Sequence, residues 1–353
     1  MFGWGAASRA SSCDSRHLRA PRSATITIVV AIVMYTRHMW SCADGSCLRQ
    51  VVVTIGVPLA GPGKSLAVET SLGRRRLRKR GRAMVAEVIF ERDRPSSPVA
   101  VLMTHYNCEA YLAAAVRSIL EQSWRDLDLL VLDDGSPGEQ WREVLAEFRA
   151  DPRLRLFASD RNVGTYRLKS AVIPHLNARY LAFQDSDDLS SRARIERQLA
   201  ALERRRLDIL GCSFSRIDEA GHPIGDRHMP SSCNWLERLG KTHFVHPPSC
   251  IVRGRVFRTI GAFDGTTRIG ADTDFVLRAA RRFRIGNLRE PLYLYRERRN
   301  SLTGDSETGY GSPVREAYAA AMRQRWRRQR RQGSAADLHP AAIDQSFTLR
   351  EIA

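Results

Sequence analysis

Two acidic clusters carry the strongest chemical signal in the sequence. Asp133-Asp134 follows the apolar run 127–132 (LDLLVL), and Asp185-Ser186-Asp187-Asp188 follows 180–183 (YLAF). Neighbouring carboxylates repel one another, so gathering them at the ends of two apolar runs calls for compensation. A divalent cation with oxygen ligands supplies it: Mg²⁺ or Mn²⁺ is held by one or two carboxylates while phosphate oxygens complete its shell. The competing reading is a set of solvated turn acids that cap the next helices. Two clusters, both at strand ends, favour the site. A further pair, Asp272 and Asp274, lies near the start of a later helical segment. A carboxylate there could cap a helix that starts near Thr273.

The elements that must position these groups are legible from periodicity. The continuous apolar runs 99–103 (VAVLM), 127–132, 154–158 and 180–183 predict buried parallel strands. Between them, 111–122, 140–148 and 168–176 predict helices, and 192–205 predicts a charged amphipathic one. Strand and helix alternating in this rhythm means crossover units and a parallel sheet covered on both faces. In such a sheet, ligands bind at the carboxyl edge of the strands, where both clusters fall. Beyond 207 the pattern loosens. Strands are expected at 208–214, 249–252 and 291–295, and helices at 256–260 and 273–282. The tail 333–353 shows no clear pattern.

Several short stretches, taken in order, resemble a known family. They are 99–107 (VAVLMTHYN) with Glu109 and Tyr111, then 131–136 (VLDDGS), Asn162-Val163-Gly164-Thr165-Tyr166, and 183–188 (FQDSDD). Later come Gly261-Ala262-Phe263-Asp264 and Gly270-Ala271-Asp272-Thr273-Asp274-Phe275. Each is weak alone, but in this order and spacing they resemble the family 2 glycosyltransferases, over roughly 97–303. The resemblance implies an α/β GT-A fold, a Rossmann-like nucleotide-diphospho-sugar transferase with three α/β/α layers and a mixed, largely parallel sheet. It implies transfer of a sugar from a nucleotide-diphosphate donor, a UDP-sugar first, to an acceptor hydroxyl with inversion. The acceptor implied is a glycan or lipid-linked sugar in cell-surface polysaccharide synthesis.

Residue by residue, the resemblance implies a donor-binding set of Thr104, Tyr106, Asn107, Glu109, Asp133, Asp134, Asn162, Gly164, Arg167, Lys169 and Asp185. Thr104, Tyr106 and Asp134 match positions that hold the nucleobase and ribose, and a carboxylate suits a pyrimidine N3–H. Arg167 or Lys169 would add a cation at the phosphates; each is equally readable as a surface helix charge. Asp187 or Asp188 would bind a divalent cation, Mn²⁺ or Mg²⁺, and the sequence does not separate the two. Asp272 matches the catalytic base, with Asp274 the second choice. His243 and His246 are readable as acceptor-pocket residues or as incidental turn residues. Arg296, Arg298, Arg299, Ser301 and Thr303 loosely resemble a closing flap.

Composition bounds the rest. The 353 residues carry 56 Lys+Arg against 38 Asp+Glu, a net +18, with 43% hydrophobic content. That is ordinary for a globular chain and excludes collagen-like and polytopic membrane classes. The charge is concentrated in two flanks. Residues 1–83 hold 14 basic and 3 acidic side chains, and the C-terminal stretch adds Arg315, Arg323, Arg325, Arg327, Arg328, Arg330 and Arg331 against Glu316. The middle is near neutral, which argues against a nucleic-acid-binding protein and predicts no specific nucleic acid partner. A nucleotidyltransferase-like enzyme is the other rival, but such enzymes carry a Gly-rich basic loop after the first strand, and THYNCE at 104–109 has neither glycine nor lysine.

Three segments are expected: a poorly patterned basic extension over 1–95, disordered or not translated, with Met84 a natural start; a catalytic domain over 96–305, its donor half to about 206 and its acceptor half from about 207; and a basic helix with tail over 306–353. The apolar run 24–35 imitates a secretory signal or weak anchor, and the basic run 74–82 reads as a linker or a phosphate and lipid contact. Gly61-Pro62-Gly63-Lys64-Ser65 imitates a phosphate loop, but Pro58 stands where the pattern needs glycine. The seven cysteines are odd in number and form no C-x-x-C pair, so a reducing, cytoplasmic setting is expected. The basic flanks, including the amphipathic stretch 310–332, offer a peripheral contact with the inner face of a membrane.

Overall fold

The computed structural model describes residues 86–90, 97–299, 301, 304, 309, 311–332 and 347–352. The apolar run 24–35, the loop at 61–65, the basic run 74–82, Met84 and Thr303 lie outside the described residues.

Four strands form the parallel centre: β2 (Val99–His105), β3 (Leu127–Asp133), β4 (Leu154–Ser159) and β5 (Tyr180–Asp185). They are mostly apolar because both faces are covered, with most of their polar residues toward the carboxyl ends. Val99, Val101, Met103, Leu129 and Val131 point to one face. There they meet α1 (Glu109–Leu120), α2 (Gln140–Val144) and α4 (Arg194–Arg204) through Ile119, Trp141 and Leu199. Ala100, Leu102, Leu130 and Leu132 point to the other. There they join the cluster of α3 (Thr165–Val172), α6 (Gly254–Ile260), α7 (Ala271–Ala280) and α8 (Pro313–Gln332) through Leu168, Phe257, Phe275 and Met322. These are the three layers expected from the sequence.

The sheet is mixed. Its remaining strands are β1 (Ala86–Ile89), β6 (Leu189–Ser190), β7 (Ile209–Ile217), β8 (Pro223–Arg227), β9 (Ile251–Arg253), β10 (Ile285–Arg296) and β11 (Phe347–Ile352). The order is β1-β11-β4-β3-β2-β5-β9-β7-β10-β6, with β8 paired to β7. The order turns back at β2, which is flanked by β3 and β5, and the carboxyl ends of these three strands share one edge. A short helix, α5 (Asn234–Arg238), sits against the end of α7: the Asn234 amide donates to the Ala280 and Phe283 carbonyls at 2.8 and 2.7 Å.

Two features depart from the sequence reading. β10 is far longer than 291–295, running through register shifts around Pro291. The tail contains β11, which pairs with β1 and β4, so the sheet continues past the limits 96 and 305. The β11 signal is weak in sequence because an inward position is charged. Glu351 is buried and takes two hydrogen bonds from Arg155, both 2.7 Å. Cys108, Cys212, Cys233 and Cys250 are free and buried. Among the described residues no helix is long and apolar enough to cross a membrane.

Candidate active site

The strand register brings the sequence-selected residues together. His105 at the end of β2 stands opposite Asp133 of β3, and Thr104 stands opposite Asp185 of β5. Past β3 the chain turns, and the Asp134 carboxylate accepts the N–H groups of Val163 (2.7 Å) and Gly164 (2.8 Å). Gly164, with φ of +93°, takes the chain into α3 through a backbone conformation that a side chain strains. Burial pushes the Asp134 carboxyl up to about 6, against the pull of those two amides. Asp133 accepts the Ser136 N–H, and the Ser136 hydroxyl in turn accepts the N–H of Asn107. The Thr104 and Thr165 hydroxyls share a 2.7 Å hydrogen bond. Glu109 reaches His105 at 3.4 Å. Tyr106 stands 48% exposed on the rim, a ring with one face open.

The second cluster divides into open and closed acids. Asp185 is partly exposed, with the buried Lys169 of α3 3.8 Å away. Desolvation pushes its carboxyl up, the Asp187 and Asp272 carboxylates push the same way, and Lys169 opposes them. Asp187 receives Arg298 on one oxygen at 2.6 Å. Asp188 is fully enclosed: Oδ1 accepts the Arg296 N–H (2.7 Å) and Oδ2 accepts the Tyr293 hydroxyl (2.8 Å). The sequence left Asp187 and Asp188 equivalent. The structure separates them, because both Asp188 oxygens are spent inside the protein.

Helix α7 presents the third acidic pair. Gly270, with φ of +73°, precedes it, so the helix begins at Ala271 rather than near Thr273. Asp272 therefore lies within the first turn, where its Oδ1 accepts the Thr273 N–H at 2.7 Å. The Tyr166 ring of α3 packs on Phe263 at 5.7 Å; burial foremost, then the Asp272 and Asp185 charges, keep its phenol far above its ordinary value. Asp274, the second choice for a base, is a different case. One oxygen accepts Arg278 at 2.8 Å and the other accepts Arg325 at 2.5 Å, so it is locked in a buried ion-pair network. Arg325 also reaches Asp264 at 3.1 Å.

The family described as Glycosyl transferase family 2 matches residues 100–261. EpsE of Bacillus subtilis, which carries a glycosyltransferase name, is 33% identical over 205 residues, covering 56% of this chain and 73% of EpsE. The chain belongs to glycosyl transferase family 2. TuaG of B. subtilis, named for teichuronic acid biosynthesis, is 27% identical over 41% of this chain and 58% of its own length. The solved S. aureus TarS 1–349 in complex with UDP-GlcNAc is 18% identical with a TM-score of 0.49, covering 57% of this chain and 59% of that one. The chain thus spans less than two thirds of TuaG and of that TarS chain.

In this family 2 member, several expected residues have other duties. Arg167 donates to the Gly265 carbonyl at 2.7 Å, toward the loop before α7, whereas Lys169 faces Asp185. Asn162 accepts Arg268 at 2.5 Å, a contact between the turn before α3 and the loop before α7 that the sequence did not show. His243 is exposed. His246 stacks on Phe214 at 4.2 Å between Tyr293 and Tyr295, and burial drives its pKa down to about 3, so it is a neutral packing residue. Arg296 and Arg298 lie over the Tyr111 ring at 4.7 and 5.8 Å and bind the acidic cluster. Tyr293 was missed; its only sequence trace is an aromatic in a late apolar strand. Among the described residues no three His, Cys, Asp or Glu side chains form a metal cage.

Proposed function

We propose that this chain transfers a sugar, with inversion, from a nucleotide-diphosphate donor to a hydroxyl of a glycan or lipid-linked sugar. A UDP-sugar is the favoured donor. The observation that carries the reading is the division among the acids. Asp188 and Asp274 are sealed by protein partners, while Asp185, Asp187 and Asp272 keep accessible carboxylates around one strand edge.

On this reading Thr104, Tyr106 and Asp134 receive the nucleoside, with Asn107, Glu109, Asp133, Asn162 and Gly164 building the loops around it. Lys169 faces the diphosphate, and Arg167 supports the loop of the acceptor half. Asp187, assisted by Asp185, is the site for Mn²⁺ or Mg²⁺. The donor set fits a hard cation: carboxylate oxygens only, and few of them, as expected where phosphates finish the shell. Bound there, the cation would neutralise charge on the departing diphosphate. Asp272 takes the acceptor proton from the face opposite the leaving group, as inversion requires. The relative TuaG is named for teichuronic acid biosynthesis, which supports a polysaccharide setting. We place the reaction in the cytoplasm, carried by the segment from about 96, together with β1 and β11.

The test is a binding and turnover screen of nucleotide sugars with Mn²⁺ or Mg²⁺. One donor should bind with the metal, Asp187→Ala should abolish that binding, and Asp272→Asn should keep binding but lose turnover. No binding by any nucleotide sugar with either metal overturns the reading.

A further inference from the structure

Three segments meet around helix α5. The Asn234 amide ties α5 to the end of α7. The Trp326 indole of α8 donates to the buried Glu237 of α5 at 3.1 Å, and the Trp326 ring lies beside Gly240. The outer face of this junction is unusual in two respects. Trp235 and Leu239 stand 52% and 66% exposed, among the few large apolar side chains that the described residues leave in solvent. Lys241 just beyond α5, Arg282 just beyond α7, and Arg323 and Arg327 of α8 are exposed as well. The segments 231–243, 279–289 and 317–332 contain a single acidic residue, Glu237, and it is buried. An exposed indole and leucine on a junction whose exposed charges over these segments are all cationic match a surface that is anionic outside and apolar just beneath. Indole rings settle at that boundary.

We propose that the face formed by α5, the end of α7 and α8 docks on an anionic lipid bilayer, with Trp235 and Leu239 entering the interface. Arg325, Met322 and Trp326 of α8 face the protein, so this helix is anchored to the fold while Arg323 and Arg327 stay exposed beside them in the chain. The face lies at the opposite end of α7 from Asp272, eight residues or about 12 Å along the helix axis. A chain docked this way holds Asp272 near the membrane surface. The inference goes beyond the transfer reaction and stands or falls separately from it.

The experiment is vesicle flotation of the full chain with phosphatidylcholine alone and with phosphatidylcholine mixed with phosphatidylglycerol. The chain should float with the anionic vesicles only. Arg323→Glu with Arg327→Glu should weaken flotation roughly tenfold or more. Trp235→Ser with Leu239→Ser should leave weak binding that added salt abolishes. Brominated lipid should quench the tryptophan emission of the full chain, and Trp235→Phe, which exchanges the exposed indole for a phenyl ring, should lose most of that quench. An unchanged quench in Trp235→Phe overturns the proposal, as does flotation of both double variants equal to the starting chain, which would assign the contact to the basic residues of 1–83. Absence of flotation with anionic vesicles also overturns it. If charge reversal removes binding to poly(U) RNA while flotation is untouched, the face is a nucleic-acid surface and the proposal fails.

Discussion

The Tyr293 hydroxyl donates to Asp188 at 2.8 Å and accepts the Asp185 N–H at 3.2 Å. One atom from β10 thus fixes both ends of the acidic cluster, which lies more than a hundred residues earlier in the chain. Tyr293 is fully buried, so the geometry does not relax into solvent. Tyr293→Phe should leave a buried carboxylate oxygen without its donor, at a cost of about 1–3 kcal/mol. Urea unfolding measures this, and metal-dependent donor binding should weaken in parallel, because the Asp185–Asp187 backbone is no longer pinned.

Asp187 and Asp188 should separate by phenotype. Asp187→Asn should keep its melting temperature near that of the parent chain, because a single exchange with Arg298 is lost at a partly accessible site. It should lose metal-dependent donor binding. Asp188→Ala should instead lower stability markedly, since it strips the partners from the Arg296 N–H and the Tyr293 hydroxyl. A melting-temperature pair with a donor titration checks both. Equal stability of the two variants would refute the division between open and closed acids.

The acidic clusters and their place at strand ends were legible because strand ends and turn acids are local signals. The run VLDD announces its own strand and its own edge, and so does the run ending in Asp185-Ser186-Asp187-Asp188. Which carboxylate is spent on the fold was not legible. The partners of Asp188 come from Tyr293 and Arg296, and one partner of Asp274 comes from Arg325, 51 residues away. No spacing rule reaches across such separations. β11 escaped for a related reason: Glu351 breaks the apolar alternation, and its fitness for the interior depends on Arg155.

That pair gives a third prediction. Arg155 and Glu351 are both buried and joined by two parallel hydrogen bonds, so removing one partner strands a charge. Glu351→Ala should cost about 3–5 kcal/mol, read as a drop in the urea midpoint. Arg155→Met with Glu351→Leu should recover much of it, since two apolar groups of similar bulk need no partner. If Glu351→Ala unfolds like the parent chain, β11 is not integral to the sheet.

A pH dependence of the proposed donor site follows from Asp134. Burial raises its folded pKa to about 6, above the ordinary aspartate value. The folded state therefore holds a proton that the unfolded chain releases between those two values. Its contribution to stability is fully present below the unfolded value and is lost as pH rises through 6. With a shift of about two units the loss is roughly 3 kcal/mol. Hydrogen bonding to a pyrimidine N3–H works in the opposite sense, because it needs the ionised carboxylate as acceptor. Stability assigned to this group should thus fall from pH 5 to pH 7 while affinity for the nucleotide rises. Asp134→Asn should flatten the stability slope and weaken nucleotide binding at pH 7. Paired melting and nucleotide titrations at pH 5 and pH 7 decide it. A nucleotide affinity that does not change across this range would remove Asp134 from base recognition and leave it as the acceptor for Val163 and Gly164 alone.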